Sequence, residues 1–301
     1  MTELRDIGLI ASFEVRRAVR TWRALALIVL YVVATAGAAY VFTQIIGAAE
    51  QSLASTLGVP ATDTPGTMLT ELKANREFRG ALSQAVGGTD QLDALLKWPL
   101  LAIFHLWFSF LLVPFFAASA SAESIALDVR TRALRFEALR TGRLEIVLGR
   151  FLGQLLLTGL AAAASIGGVW TVGMLYMVGH TPLGLATGLV WFAVRAWFFS
   201  IPFVGIGVAC SQLTASPAWA RVLAISVTAG SWVALGIARW LETRGDGWAI
   251  VADLLIQILP QGWLMTMWAP GLDWMVAALV CSALGLVAVG LGYARFAGRD
   301  L

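Results

Sequence analysis

Long uncharged apolar runs alternate with polar stretches along the chain. A helix needs ~20 predominantly apolar residues to cross the hydrocarbon core of a bilayer. This pattern predicts six membrane-spanning helices, at about 24–49, 98–122, 151–178, 193–213, 222–238 and 274–294. The predicted fold is therefore an all-α membrane protein in which residues 1–301 form a single transmembrane domain.

The segment before the first span has its own periodicity. Residues 3–23 carry apolar side chains at spacings of three and four, namely Leu4, Ile7, Ala11, Val15, Ala18 and Trp22. Arg16, Arg20 and Arg23 share the other side. We expect an amphipathic helix that lies in the membrane surface with its apolar stripe in the acyl boundary. The alternative is an ordinary positively charged flank of the first span.

Two polar excursions, both expected on the extracytoplasmic side of the membrane, interrupt the series of spans. In the first, residues 50–97, helical composition continues to Val86, Gly87-Gly88 stops it, and Thr89 or Asp90 could cap another short helix. The second, residues 240–271, precedes the last span and is broken by Pro260 and Pro270. Whether 247–259 is interfacial or re-entrant stays open.

Arg195 interrupts the apolar run 183–214. One continuous helix would place this arginine mid-membrane, which is costly. We therefore expect a short interfacial or partly inserted helix over 183–192 and a span that begins near Ala193. Arg195 would then snorkel to the outer interface between Trp191 and Trp197. It also remains a possible contact for an anionic substrate or for an interface.

Residues 123–150 form a dense, mixed-charge segment between two apolar runs. Six of the chain's 21 basic residues and four of its 18 acidic residues lie there. Residues 128–140 are predicted to form a short surface helix, which Thr141-Gly142 ends, and Arg143 begins a turn into the third span. The alternative is a loop whose only role is to place positive charge on one side of the membrane and so orient the chain.

Composition agrees with a membrane protein. Hydrophobic residues make up 59% of the chain and the mean hydropathy is +0.79, which excludes a soluble globular core. The two cysteines, Cys210 and Cys281, lie in apolar runs without metal-ligand spacing and are expected to be free thiols. The small positive charge is explained by membrane orientation, and no nucleic-acid partner is expected.

The distribution of cations predicts the orientation. Both termini, the 123–150 segment and Arg221 share one side with most of the arginines. Cytoplasmic loops are enriched in Lys and Arg, so we expect both termini and 123–150 to be cytoplasmic. A multi-pass protein of a bacterial cytoplasmic (inner) membrane fits this pattern.

Several chemistries have no sequence support. The chain lacks a G-x-x-x-x-G-K-[ST] phosphate loop, an H-E-x-x-H motif and a G-x-S-x-G motif. No catalytic, cofactor-binding or metal-ligating residue is predicted, so the chain is not expected to be an enzyme, and an intramembrane enzyme lacks its catalytic pair. His105 could line a pathway, although a packing histidine bonded to a neighbouring carbonyl is the preferred interpretation.

The charged segment resembles a known family. Asp128, Leu134-Arg135, Leu139, Arg143 and the run Leu144–Gly153 resemble the cytosolic loop of ABC-2 type transporter permeases. The usual Gly-Thr is replaced by Arg132-Ala133, the usual Pro-Val-Ser by Arg140-Thr-Gly142, and the usual Lys by Arg150. The stretch 210–217 resembles the family's Ser-rich end of the fourth span, and 296–301 resembles its Phe-x-x-Arg-Asp-Leu ending.

The resemblance implies partners and a role for the segment. Such permeases dimerise, as homodimers or related heterodimers, and two separate ABC ATPase subunits dock beneath them. ATP and Mg²⁺ would be bound by that ATPase, so no cofactor is expected in this chain, whose other contacts would be membrane lipids. The resemblance assigns the ATPase-coupling helix to a set of charged residues: Asp128, Arg132, Arg135, Glu137, Arg140, Arg143 and Glu145.

Two functions remain open at this stage. The first is the permease subunit of an exporter that couples ATP hydrolysis by its partner to substrate movement. The second is a permease that transports nothing and relays the ATPase-driven motion to an extracytoplasmic protein, with 50–97 as the docking site.

Overall fold

A computed structural model of the chain describes residues 2–57, 64–86, 88–244 and 248–298. These residues form fourteen α-helices and no strand. The first seven are α1 (Thr2–Arg20), α2 (Trp22–Leu57), α3 (Leu69–Ala74), α4 (Arg76–Val86), α5 (Thr89–Leu95), α6 (Leu100–Ser121) and α7 (Ala126–Arg130). The others are α8 (Ala133–Ala138), α9 (Arg143–Tyr176), α10 (Pro182–Leu213), α11 (Pro217–Arg244), α12 (Ala249–Ile258), α13 (Leu264–Trp268) and α14 (Trp274–Ala297).

Six helices are long and apolar enough to cross a membrane: α2, α6, α9, α10, α11 and α14. For the described residues this confirms the predicted all-α membrane fold with six spans. Several helices exceed the predicted spans. At 1.5 Å per residue the 34 residues of α9 extend about 51 Å, well beyond a hydrocarbon core of about 30 Å. Its first turns, from Arg143, occupy part of the segment that was expected to be a turn before the span.

The core lies around α10, which packs between α6 and α14. Aromatic side chains fill the contact with α6, where the rings of Phe110 and Phe199 lie 4.9 Å apart. Against α14 the backbones themselves approach closely. A Cβ atom on Gly285 would lie 2.8 Å from Cγ2 of Ile201, so only glycine permits this separation.

The structure corrects the expected break before Ala193. Residues 182–213 form one continuous helix instead of a short helix over 183–192 followed by a span. Its first part packs on the start of α6, where a Cβ on Gly188 would lie 3.1 Å from Cβ of Ala102. The expected break avoided placing Arg195 in lipid. The folded protein instead buries Arg195 among its own side chains, so the helix has no reason to end there.

The described part of the first excursion folds against the bundle. The carboxylate of Glu50 accepts hydrogen bonds from the backbone N–H groups of Gly66 and Met68, at 2.8 and 3.0 Å. Gly66 adopts a φ of +104°, which only glycine tolerates readily. The N-cap of α5 is Gly88, not Thr89 or Asp90 as expected, and Gly87 lies outside the described residues.

The second excursion contains a sharp bend. Helix α12 and the segment Pro260–Trp268 meet at 90°, and Pro260 stands at the first turn after the bend. Because proline cannot donate the hydrogen bond that would continue α12, the helix ends there. This geometry is that of a broken span or a re-entrant loop. Residues 245–247 lie outside the described part.

Candidate functional site

The charged segment forms two short helices rather than one. Helices α7 and α8 are separated by Arg132, whose φ of +59° is left-handed. The expected single helix over 128–140 is therefore corrected. A left-handed residue stops the helix, and for a side-chain-bearing residue this costs about 1–2 kcal/mol. Arg132 stands at the position where the resembling loops have glycine, which adopts this conformation without cost.

Two contacts fix the start of the segment to the end of the bundle. The hydroxyl of Ser211, near the end of α10, accepts hydrogen bonds from the backbone N–H groups of Ile125 and Ala126, both at 2.8 Å. Glu123 forms an ion pair with Arg221 at the start of α11. These bonds satisfy backbone groups at the start of α7 and hold it beside α10 and α11.

A buried charge cluster connects the segment to the rest of the fold. We define it as Glu14, Arg17, Asp128, Glu137 and Arg150. Asp128 is only 3% exposed, and it accepts two hydrogen bonds from Arg17, at 2.8 and 2.9 Å. Arg150, 1% exposed, pairs with Asp128 as well.

Arg150 bonds to Asp128 through Nη1, and its Nη2 extends the charge cluster to α8. Nη2 donates to the carboxylate of Glu137 at 2.7 Å, while Nη1 also donates to the backbone carbonyl of Ser124. Planar guanidinium groups suit such multiple, directed bonds to carboxylates. Through one side chain, α9 is thus bonded to Ser124, two residues before α7, to α7 itself and to α8.

Glu14 brings α1 into the charge cluster. Its carboxylate accepts a hydrogen bond from Nε2 of Gln154 at 2.9 Å and lies 4.0 Å from Nη1 of Arg150. Desolvation by burial raises the pKa of the Glu14 carboxyl above its ordinary value of 4.5, although Arg150 and Arg17 act in the opposite direction. The carboxylate is therefore held buried at an electrostatic cost.

We expect Glu14→Gln to change how stability depends on pH. With a raised pKa, folded Glu14 binds more protons than the unfolded state in the window above pH 4.5. This contribution to stability is fully present below the ordinary pKa and is lost as pH rises through the folded pKa. The stability of Glu14→Gln relative to the wild type should therefore increase with pH across that window.

Thermal unfolding of both proteins from about pH 4 to pH 8 measures this difference. The control is Glu3→Gln, which makes the same chemical change at an exposed position of α1. Parallel pH profiles for the wild type and Glu14→Gln would contradict the assignment.

Helix α1 packs directly onto the backbone of α9. A Cβ on Gly149 would lie 2.6 Å from Cβ of Ile10, and one on Gly153 would lie 2.8 Å from Cβ of Glu14. Ala11 and Ala18, from the predicted apolar stripe, are buried. This corrects the expectation that the stripe faces the acyl chains, because part of it forms a protein interface. The two glycines allow the close approach.

The structure divides the predicted coupling residues into two groups. Asp128 and, in part, Glu137 face inward in the charge cluster, whereas Arg132, Arg135 and Arg140 are exposed. Arg143 is engaged elsewhere, because it donates to the carbonyl of Ala297 at 2.7 Å. Glu145 lies in the first turn of α9, where a carboxylate complements the helix dipole.

Sequence reasoning missed two kinds of residue at this site. The first kind is Phe136 and Leu139, which are 73% and 83% exposed. The sequence feature that could have identified them is a pair of large apolar residues three apart inside a charged segment. The partners of Asp128 were also missed. Glu14, which lies near Arg150, was missed too, and its signal was a carboxylate between Ile10 and Ala18 on the apolar side of α1.

A half-open cavity of about 490 Å³ lies beside the charge cluster. Its lining combines cationic side chains, among them Arg17, Arg20 and Arg221, with apolar side chains of the spans, among them Phe116 and Leu157. A cavity with a charged rim and an apolar wall suits a molecule that has both a polar and an apolar part.

The two other predicted contact residues lie deeper in the bundle. His105 is buried, and its Nε2 lies 3.2 Å from the hydroxyl oxygen of Ser165 on α9, so its partner is a hydroxyl group instead of the expected carbonyl. Arg195 is 2% exposed, which corrects the expectation that it snorkels. Its side chain is enclosed by the protein instead of reaching the interface.

No group of His, Cys, Asp or Glu that could hold a metal ion occurs among the described residues. The chain was compared with models of known protein families. The model described as "ABC-2 family transporter protein" matches residues 9–301. The matched region contains the whole charged segment and all six long helices.

Proposed function

We propose that this chain, which belongs to the ABC-2 transporter family, is the membrane subunit of an exporter and is driven through its 123–150 segment. Family membership makes it a multi-pass permease of an ABC transporter that works with an ABC ATPase subunit and is not itself catalytic. The direction of transport and the route of coupling are our proposals. ATP and Mg²⁺ would be bound by the ATPase.

The observation that carries the coupling proposal is an exposed docking surface on and beside α8. We define it as Arg132, Arg135, Phe136, Leu139 and Arg140, all of which are exposed. Exposed large apolar side chains flanked by arginines are typical of binding hot spots. The arginines would steer the approach and fix the register on an acidic groove.

The charge cluster supplies a route from this docking surface into the membrane. Movement of α8 would act on α9 through the bond between Glu137 and Arg150, and movement of α7 would act on α1 through Asp128 and Arg17. We therefore assign Asp128 to positioning the segment, and not to direct contact with the ATPase. Packed elements joined by short charged bonds move together more readily than they deform.

We expect Phe136→Ala together with Leu139→Ala to uncouple the two subunits. Losing one hot-spot side chain costs about 2 kcal/mol or more, so binding of the ATPase should fall at least about thirty-fold. Co-purification of the ATPase and stimulation of its ATP hydrolysis measure the effect. Arg135→Glu with Arg140→Glu should act in the same direction.

The matched control reverses two exposed charges at the opposite end of the bundle, Arg239→Glu with Arg244→Glu. Arg143 is not substituted, because the change would also remove its hydrogen bond to Ala297. A loss of folding would then be mistaken for a loss of assembly with the ATPase. If folded α8 variants retain the ATPase and its stimulation, the coupling proposal is wrong.

Export is favoured over pure force relay by the amphiphilic cavity beside the charge cluster. The relay alternative draws on the first excursion, where α3–α5 form a folded surface that an extracytoplasmic protein could contact. The ion pair between Arg79 and Asp93, at 2.5 Å, joins two of these helices. A structure of the assembled complex distinguishes the two. A continuous polar cavity between two permease copies supports export, and a closed apolar interface supports relay.

We further propose that two copies assemble, as a homodimer or with a related subunit, in a bacterial inner membrane with both termini in the cytoplasm. The unequal distribution of arginines supports this orientation. Labelling of single cysteines by a membrane-impermeant reagent tests it. A cysteine at Leu139 should react only from the cytoplasmic side, and one at Arg239 only from the other.

A further inference from the structure

We propose that Arg195 binds the phosphate group of an anionic phospholipid, on the side of the membrane opposite the charged segment. The proposal does not depend on what the protein transports, because a bound lipid can be a fixed component of the fold. It rests on the surroundings of Arg195, a nearby cavity and the level of this cavity in the bundle.

The guanidinium of Arg195 lies among aromatic rings. It lies 5.2 Å from the ring centroid of Trp191, 5.7 Å from that of Phe192 and 5.4 Å from that of Trp274. Its Nη1 donates to the backbone carbonyl of Met267 at 3.0 Å. The positive charge is therefore surrounded by aromatic faces and bonded to one carbonyl.

The positive charge of Arg195 has no counter-ion among the described residues. No described carboxylate lies within the 4.0 Å of an ion pair. Nε has no hydrogen-bond partner, and no described residue accepts from Nη2. A buried charge is normally paired. Aromatic faces and one carbonyl reduce the cost, but they leave donors and a net positive charge that an anion would satisfy.

Two further unpaired groups lie near Arg195, and both are hydrogen-bond donors, as the guanidinium is. The indole N–H groups of Trp268 and Trp274 are buried without a hydrogen-bond partner. Both are donors and neither can accept. Unpaired donors near a cation that has no counter-ion favour an anion over a metal ion or a second cation.

A cavity of about 320 Å³ lies beside Arg195 and Trp268. Arg195 lines it together with Trp98, Trp191 and Trp268, and the exposed residues Gly271 and Leu272 lie at its edge. The volume is sufficient for a phosphate and its neighbouring ester groups but not for a whole lipid. The acyl chains would have to remain outside, along the apolar surface of the helices.

The depth of the cavity in the membrane favours a lipid over a soluble anion as its occupant. Tryptophans cluster at membrane interfaces, and Trp98 stands directly before α6 enters its span. The rim residue Leu272 is 68% exposed and offers an apolar contact. Phosphate groups of lipids lie at this depth in a bilayer, next to the acyl boundary.

The test is lipid binding by the purified full-length protein, measured by native mass spectrometry during titration with phosphatidylglycerol. Arg195→Gln removes the charge and should weaken the tightest lipid binding about tenfold, as expected for one charge-assisted bond. Ala94→Trp places a large side chain in the cavity without altering Arg195, and it should have a similar effect. Arg239→Gln, at an exposed position, should leave the affinity unchanged.

Two results would overturn the proposal. The first is wild-type affinity for phosphatidylglycerol in folded Ala94→Trp, a result that remains decisive if Arg195→Gln does not fold. The second is displacement of the lipid by millimolar inorganic phosphate, which would identify a soluble anion as the occupant. Binding that is weakened in both variants and insensitive to free phosphate supports the lipid headgroup.

Discussion

Replacing Arg150 with methionine is expected to destabilise the folded protein by about 3–5 kcal/mol, because removing one member of a buried ion network leaves its partners uncompensated. Asp128 and Glu14 are both nearly inaccessible to water. Without the guanidinium, Asp128 would keep only Arg17, and the buried Glu14 would lose its nearest cation. Methionine retains much of the side-chain volume, so the loss reports charge and hydrogen bonding more than packing.

Thermal unfolding of the purified protein measures this effect, with Arg135→Met as the control at an exposed position of α8. The double variant Arg150→Met with Asp128→Leu should recover part of the loss, since a buried pair can be replaced by apolar residues at little cost. Arg17 and Glu137, the partners left over, are both partly exposed to water in the native structure. Equal melting temperatures for Arg150→Met and the control would show that the charge cluster contributes little.

The second large effect is expected from Gly149→Ala together with Gly153→Ala. Each new Cβ would lie within 3 Å of an atom of α1, so α1 must move away from α9. Overpacking of this kind costs about 1–3 kcal/mol per site. We expect α1 to detach while the six long helices stay folded, because the buried residues of the core around α10 come from other helices and α1 packs against that core from outside, through the partly buried Ile10.

Cysteine labelling can follow this detachment. A cysteine at Ala11, which is 5% exposed, should react slowly in the parent protein and much faster in the double-alanine variant. Gly167→Ala is the matched control on the same helix, because no atom of a neighbouring helix lies within 4 Å of the Cβ that this substitution adds and alanine favours helix by up to about 1 kcal/mol. Unchanged labelling in the double variant would show that α1 tolerates the extra methyl groups.

The spans could be predicted because hydrophobicity is a local property. An uncharged run of sufficient length has few alternatives to a membrane helix, and this held for all six. The position of Arg195 could not be predicted in the same way. The cost of a buried charge depends on its neighbours, and Met267, which accepts its hydrogen bond, lies 72 residues away along the chain.

The charged segment shows a similar limit. Its composition indicated an ordered structure between the second and third spans, but the bonds that order it join distant residues. Arg17 and Asp128 are 111 residues apart, and no local pattern connects them. The sequence also placed the charged and apolar side chains of α8 in one segment without indicating that Phe136 and Leu139 would be left exposed.

The interface between α1 and α9 has a consequence for synthesis of the chain. Glu14 is bonded to Gln154, 140 residues further along. At 5–20 residues per second a ribosome needs roughly 7–28 s to cover that distance. During this interval Gly149 and Gly153, against which α1 packs, have not yet been made. Arg150, the cation closest to Glu14, is also missing. A chain that stops before α9 would therefore present an undocked N-terminal helix, a form that chaperones and proteases can distinguish from the finished protein.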